Sequence, residues 1–206
     1  MATAVEKKVQ VFGPGSAGTL MTTREFDRAE FEDGWRYELI HGVLVVSPIP
    51  LEEEADPNEE LGHWLRTYRD THPQGSALNL TLPERIVRTK KHRRRPDRLI
   101  WAGLGRLPRR RERPTILAEF VSEGKRDRDR DYEEKRDEYM EIKIQEYWII
   151  DRFQRTMTVY FQSGDKVKKK VVRENQTYTT DLLPGFELPL GRLLALSDRW
   201  AGQEEV

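Results

Sequence analysis

The chain has 206 residues, of which 36% are hydrophobic and 35% charged, and its formal net charge is zero. This length fits one domain with a core of moderate size. The absence of cysteine excludes disulfide bonds and thiolate chemistry. No apolar run approaches the roughly 20 residues that span a bilayer, and residues 1–8 lack the apolar stretch of a signal peptide. We therefore expect a cytoplasmic protein with no membrane partner.

The first 20 residues are rich in Gly, Ser, Ala and Thr, which predicts a flexible N-terminal segment. Periodicity and turn residues then predict these elements in chain order: a short helix at 22–31, a hairpin of strands 35–40 and 43–46, a helix from Asp56-Pro57 to about 72, strands at 76–82, 84–88 and 97–102, a basic loop at 103–114, a strand at 115–122, a helix at 127–143, and strands at 146–150, 156–161 and 166–173. A turn at 183–186 precedes a short C-terminal segment.

Two strands carry further information about the sheet. Residues 115–122 are almost continuously apolar, as is typical of a central strand that is covered on both faces. Residues 166–173 carry four lysines, which protect the edge of a sheet from pairing with other chains. The order of elements predicts an α/β (α+β) domain at 21–198, with a mixed central β-sheet flanked by helices, and a tail at 199–206.

Charge is distributed unevenly along this neutral chain. Basic residues cluster at 88–95 and again at 106–113, whereas acidic residues cluster at 52–60. Lysine and arginine neutralise phosphates, so the basic segments fit a polyanionic substrate. A solvated charged loop is the alternative, and charge alone favours that alternative.

Asp97 and Glu119 are carboxylates in apolar, strand-like segments. Burying a charged side chain is costly unless a partner compensates it. A hard divalent cation shared between the two acids would do so, and Mg²⁺ held by carboxylates activates water for phosphodiester hydrolysis. Alternatively, Asp97 caps the turn after Pro96 and Glu119 pairs with an arginine.

The helix after Glu119 carries a lysine that could take part in this hydrolysis. Asp131, Lys135 and Tyr139 recur every four residues and share one helical face. If this helix packs across the strand of Glu119, Lys135 reaches the cation and can orient water or stabilise negative charge. An Asp131–Lys135 pair worth about 0.2–0.5 kcal/mol on a solvated face is the alternative. Glu38 is a third acid in an apolar setting, and a cross-strand salt bridge is its alternative role.

Several motifs together resemble the Uma-two family of restriction-endonuclease-like proteins, in the PD-(D/E)XK nuclease superfamily. The runs that carry the resemblance are, in chain order, YELIHG at 37–42, RPD at 95–97, AEFVS at 118–122, DYEEKRDEY at 131–139, QEYWIID at 145–151 and LPGF at 183–186. The resemblance covers roughly residues 21–195. It rests on the ordered combination, because no single run is specific.

This resemblance implies a restriction-endonuclease-like core and an acidic site for Mg²⁺ or Mn²⁺. Asp97 and Glu119 match the two metal-binding acids of the family, and Glu38 matches its early acid. Val121 stands where many nucleases of the superfamily keep their lysine. Lys135 matches the family position to which that lysine has moved.

We therefore expect a metal-dependent endonuclease that acts on nucleic acid, with DNA as the first candidate. Arg93, Arg94 and Arg95 are expected to contact the phosphate backbone, and the chain is expected to form a homodimer. The alternative is a catalytically silent nuclease fold that binds nucleic acid or a protein partner. A salt-dependent affinity for DNA that survives loss of Asp97 and Glu119 would favour this alternative.

Overall fold

The computed structural model describes residues 10–122, 130–164 and 166–200, with Arg130 and Asp131 described by their backbone alone. The strands are β1 (Val11–Phe12), β2 (Glu30–Phe31), β3 (Trp35–Ile40), β4 (Val43–Pro48), β5 (Leu78–Pro83), β6 (Val87–Arg88), β7 (Arg93–Arg94), β8 (Arg98–Ala102), β9 (Ile116–Phe120), β10 (Glu146–Asp151), β11 (Thr156–Ser163), β12 (Lys166–Arg173), β13 (Thr177–Tyr178) and β14 (Leu188–Pro189). The α-helices are α1 (Thr23–Phe26), α2 (Glu52–Thr71), α3 (Arg136–Glu141) and α4 (Leu190–Asp198).

Shorter helical pieces complete the fold: a π-helical stretch, Arg130–Lys135, and two 3₁₀ turns, Pro14–Ser16 and Gly75–Ala77. Residues 1–9 of the predicted flexible segment lie outside the described residues, as do 127–129 of the predicted helix and 201–206 of the predicted tail. In the part of the chain that the structure describes, no helix has the length and apolar character needed to cross a membrane.

The chain divides into two compact units. In the described residues, the first unit contains 10–49 and 88–95, and the second contains 50–87 and 96–200. In the first unit, β3 pairs antiparallel with β4 and with β7. The predicted hairpin between β3 and β4 is confirmed, and it turns at His41 and Gly42, both with positive φ.

Helix α1 is shorter than predicted. Thr22 and Glu25 form a reciprocal capping box at its start. The helix ends at Phe26, and residues 30–31 form strand β2, paired parallel with β1. Phe31 stacks on Tyr37 with ring centroids 4.5 Å apart, a contact that favours the strand conformation after α1.

The second unit contains a six-stranded sheet in the order β12-β11-β10-β9-β8-β5. The β9–β10 pair is parallel and the other neighbours are antiparallel, which confirms the predicted mixed sheet. All five residues of β9 are buried, as expected of a central strand. The lysine-rich β12 lies at an edge, also as predicted.

Helices cover both faces of this sheet. On one face, Leu61 and Leu65 of α2 and Leu193 of α4 share a core with Ile116 and Trp148. The opposite face packs against α3 and the turn that precedes it. Its apolar cluster includes Leu99, Leu117, Tyr139, Met140 and Ile149. Alternate residues of β8 and β9 therefore belong to different cores.

Helix α2 begins at Glu52, four residues before the predicted start at Asp56. The prediction placed Pro57 in the first turn, where a missing N–H costs nothing, but Pro57 lies inside the helix. The carbonyl of Glu53 therefore lacks the usual N–H of residue 57. The hydroxyl of Ser197 in α4 donates to this carbonyl at 2.7 Å, so a tertiary contact replaces the missing helical bond.

Candidate functional site

Asp97 and Glu119 lie on the same face of the sheet. Strands β8 and β9 pair with Arg98 opposite Ala118 and Leu99 opposite Leu117. Continuing this register by one residue places Asp97 opposite Glu119, and opposite residues of an antiparallel pair project from the same face. The exposed fraction is 4% for Asp97 and 2% for Glu119, so both carboxylates are removed from bulk water.

Asp97 is held by contacts of both its side chain and its backbone. Its Oδ2 accepts a hydrogen bond of 2.7 Å from the backbone N–H of Phe120 in β9. Its carbonyl accepts a bond of 3.0 Å from the side-chain amide of Asn58 in α2. The Oδ1 of Asn58 accepts in turn from Nε of the buried Arg98 at 2.7 Å. These contacts fix the start of β8 against both β9 and α2.

Glu119 accepts hydrogen bonds from two residues of the following helical segment. The ammonium nitrogen of Lys135 lies 2.9 Å from Oε1 of Glu119, and the Tyr139 hydroxyl donates to the same oxygen at 3.3 Å. Lys135 is 4% exposed and Tyr139 is fully buried. The helical segment therefore packs across the strand of Glu119 and brings an ammonium group to its carboxylate.

Lys135 is the last residue of the π-helical stretch, and α3 begins at the next residue. Single π-helical turns are rare and occur frequently at functional sites. The alternative partner for Lys135 was Asp131, whose side chain lies outside the described residues. Tyr139 is a site contact that the sequence did not assign, although its spacing of four residues from Lys135 was the available signal.

Glu38 lies in β3 of the first unit and is 8% exposed. Its Oε1 accepts a hydrogen bond of 2.8 Å from the backbone N–H of Arg95. The carboxylate thus holds the backbone of the residue that follows β7, within the first unit. A role for Glu38 in the chemistry of the acid pair stays a prediction.

The three arginines expected to contact phosphates differ in accessibility. Arg93 is 7% exposed, and its Nε and Nη2 donate to the two carboxylate oxygens of Asp27 at 2.8 and 2.9 Å. Arg94 is wholly buried and Arg95 is half-buried. In this conformation Arg93 stabilises the first unit and would have to leave Asp27 to bind a phosphate. The predicted phosphate contacts of this run stay predictions.

The acid pair has the chemistry to hold a hard divalent cation. Two carboxylates on one face provide oxygen ligands, which Mg²⁺ prefers. Within the residues that the structure describes, no group of three or more His, Asp or Glu is placed to hold a metal ion. A cation at Asp97 and Glu119 would therefore have few protein ligands and keep several waters, as Mg²⁺ usually does.

The fold of this chain is similar to that of a solved structure. No curated protein matches the chain. A crystal structure from Anabaena variabilis, described as a "putative nuclease belonging to DUF820", superposes with a TM-score of 0.65. The two sequences are 14% identical, and the match covers 86% of this chain and 99% of the other. At this identity, the likeness shows a shared fold.

The profile of the Uma2 (Uma-two) family, whose description is "Putative restriction endonuclease", matches residues 23–191. This match includes Asp97, Glu119, Lys135 and Tyr139, and it extends over most of both compact units. The chain belongs to the Uma2 family of restriction-endonuclease-like proteins.

Proposed function

We propose that this protein is a metal-dependent endonuclease that hydrolyses phosphodiester bonds in nucleic acid, with DNA as the first candidate substrate. Its family suggests a nuclease. The observation that carries the proposal is the contact of 2.9 Å between Lys135 Nζ and Glu119 Oε1, with Asp97 opposite Glu119 on the same face. Two acids and one ammonium group provide the charges that phosphodiester hydrolysis needs.

Asp97 and Glu119 would hold Mg²⁺ or Mn²⁺, as restriction-endonuclease-like proteins generally use divalent metals. The bound ion supplies positive charge against the developing negative charge and lowers the pKa of a coordinated water. The Phe120 amide and the Tyr139 hydroxyl orient the two carboxylates before any ligand arrives. This preorganisation avoids the cost of ordering the acids during the reaction.

Lys135 would assist the hydrolysis with its positive charge. Its ammonium group is buried beside Glu119 and can donate to the attacking water or to a phosphate oxygen. A donor directed at developing charge in a water-poor site typically contributes about 10²–10³-fold to the rate. Substitution of Lys135 by an uncharged residue of similar length therefore isolates the contribution of its charge.

Cleavage of supercoiled plasmid DNA in the presence of Mg²⁺ tests the proposal. We expect the wild-type chain to nick the plasmid, and Asp97→Asn and Lys135→Met to lose about 10²-fold or more of that rate. The exposed Lys143 follows α3, so Lys143→Met is the matched control and should cut at the wild-type rate. Circular dichroism verifies that each variant is folded. The proposal fails if the wild-type chain cuts neither DNA nor RNA with Mg²⁺ or Mn²⁺, or if Lys135→Met cuts at the wild-type rate.

A catalytically silent nucleic-acid-binding protein is the second candidate. The observation that favours it is the Lys135–Glu119 ion pair, because this pair compensates the buried carboxylate without a cation. Such a protein would bind nucleic acid with the same affinity after Asp97→Asn and would not cut it. The predicted homodimer is a separate question, which light scattering of the purified chain answers.

A further inference from the structure

The loop between β8 and β9, residues 103–114, is a strongly basic exposed segment of the second unit. It contains five arginines and one glutamate, a net charge of +4 in a chain that is neutral overall. The arginines are all exposed; they are Arg106, Arg109, Arg110, Arg111 and Arg113. Compensating acids must therefore lie elsewhere, and this loop is a local region of positive potential.

Glu112 holds the loop in one conformation. Both terminal nitrogens of Arg106 donate to its carboxylate at 2.8 Å, and the backbone N–H of Arg109 donates to it at 2.5 Å. These bonds, the Arg106 guanidinium first, lower the pKa of Glu112 to about 2. Glu112 therefore remains charged at physiological pH and can accept from both arginines.

Further bonds tie the loop to its own unit. The indole N–H of Trp101 donates to the carbonyl of Glu112 at 3.1 Å. Arg113 donates to the carbonyl of Ile142 at 2.8 Å, and Asn79 accepts from the backbone N–H of Leu104 at 2.7 Å. The loop is thus anchored at its start and at its end.

Three consecutive arginines occupy the tip of this anchored loop. In the part of the chain that the structure describes, the guanidinium groups of Arg109, Arg110 and Arg111 form no ion pair or side-chain hydrogen bond. Arg93, by contrast, is engaged by Asp27. The tip therefore offers three solvated guanidinium groups, which bind phosphate oxygens in a bidentate geometry.

The loop and the acid pair lie at opposite ends of the β8–β9 hairpin. Asp97 precedes β8 and Glu119 lies near the end of β9, whereas the loop joins the end of β8 to the start of β9. Thr115 lies four positions before Glu119, a distance of about 13 Å along the strand. This distance corresponds to about four base pairs of a DNA duplex, since successive phosphates of one strand advance about 3.4 Å along the helix axis.

We infer that Arg109, Arg110 and Arg111 form a second contact site for the phosphate backbone of a nucleic acid duplex, remote from the acid pair. This inference builds on the proposed function, because it names the surface that holds the substrate. Duplex nucleic acid fits better than a membrane, since Leu107 is the one strongly exposed apolar residue of the loop. The contact is independent of sequence, as phosphate contacts position a duplex without reading its bases.

Salt-dependent binding of a fluorescein-labelled 20-base-pair DNA duplex, in buffer with EDTA, tests the inference without any cleavage. The variant replaces all three tip arginines: Arg109→Gln, Arg110→Gln and Arg111→Gln. The matched control replaces three consecutive exposed lysines of the edge strand β12: Lys168→Gln, Lys169→Gln and Lys170→Gln. Both variants lose three positive charges, so a general effect of net charge would be equal in the two.

We expect the slope of log K against log salt to fall by about 2–3 in the arginine variant, because each lost phosphate contact contributes about 0.9. The lysine variant should keep the wild-type slope. A wild-type slope in the arginine variant, or equal losses in both variants, overturns the inference. Loop-dependent binding to phosphatidylserine vesicles without binding to the duplex also overturns it. Because EDTA removes the cation, an inactive acid pair would leave these results unchanged.

Discussion

The proposed hydrolysis depends on the buried ion pair between Lys135 and Glu119. Both side chains are at most 5% exposed, so neither charge has bulk water as an alternative partner. Breaking a buried pair by removing one partner typically costs about 3–5 kcal/mol, because the other charge stays buried. We expect Lys135→Met to lower the free energy of unfolding by about this amount, measured by urea denaturation without divalent cations.

The double variant Lys135→Met with Glu119→Gln is the control for this prediction. Glu119→Gln removes the carboxylate charge that Lys135→Met leaves uncompensated, so the double variant should recover a large part of the lost stability. Additive losses in the two single variants and the double variant would show that the two groups are not energetically coupled.

The sequence predicted that Lys135 lies beside Glu119, but it did not predict that Arg93 is buried against Asp27. Lys135 and Tyr139 are four residues apart, and a helical face is a local property that spacing reveals. The burial of Arg93 depends on Asp27, which is 66 residues away in the chain. A run of basic residues carries no local signal for such a partner. Asn58 was missed for the same reason, since it reaches Asp97 from a distant helix.

At the level of elements, Pro57 and Ser197 explain how α2 tolerates an internal proline. The hydroxyl of Ser197 occupies the carbonyl of Glu53, which Pro57 cannot bond. We expect Ser197→Ala to lower the free energy of unfolding by about 1 kcal/mol, because it leaves this carbonyl without its donor. In a Pro57→Ala background the helical N–H returns, and the same substitution should cost much less. Equal costs in both backgrounds, measured by thermal denaturation, would contradict this account.

The same contact shows why the limits of helices were difficult to predict. Proline favours the first turn of a helix, so the local signal placed the start of α2 at Asp56-Pro57. The real start at Glu52 depends on α4, a helix that the sequence did not predict. Strand β9 was predicted well because its apolar run reports directly on burial from both faces.

Stability of the whole molecule should depend on pH in the alkaline range. Burial and the negative charge of Glu146 raise the pKa of Tyr178 above its usual value, and burial and Asp151 do the same for Tyr132. Above pH 10 the unfolded tyrosines lose protons that the folded ones keep. The stabilisation that arises from these raised pKa values is therefore fully present below about pH 10, and it decreases as pH rises above that value.

The expected loss is up to about 1.4 kcal/mol per pH unit for each of these tyrosines. Tyr178→Phe removes one titrating group, so its stability should fall less steeply between pH 10 and 11 than that of the wild-type chain. Chemical denaturation at several pH values gives the two slopes. Identical slopes would show that Tyr178 does not titrate differently in the folded and unfolded states.

Fold class was the property of the whole molecule that the sequence predicted best. Alternation, apolar runs and the order of elements are sufficient to indicate a mixed sheet between helices, and the structure confirms this arrangement. No local feature of the sequence predicted the division into two compact units. Residues 88–95 belong to the same unit as the residues up to 49, although 38 residues lie between the two stretches. Composition alone does not reveal that the chain comes back to this unit.

We propose that Asp97 and Glu119 hold one divalent cation beside Lys135. Anomalous X-ray diffraction from crystals soaked in Mn²⁺ measures the position of such an ion directly. We expect one strong peak within coordination distance of oxygens from both carboxylates in the wild-type chain, and its loss in Asp97→Asn. A wild-type crystal in which Lys135 and Glu119 remain paired and Mn²⁺ binds elsewhere or nowhere would contradict it.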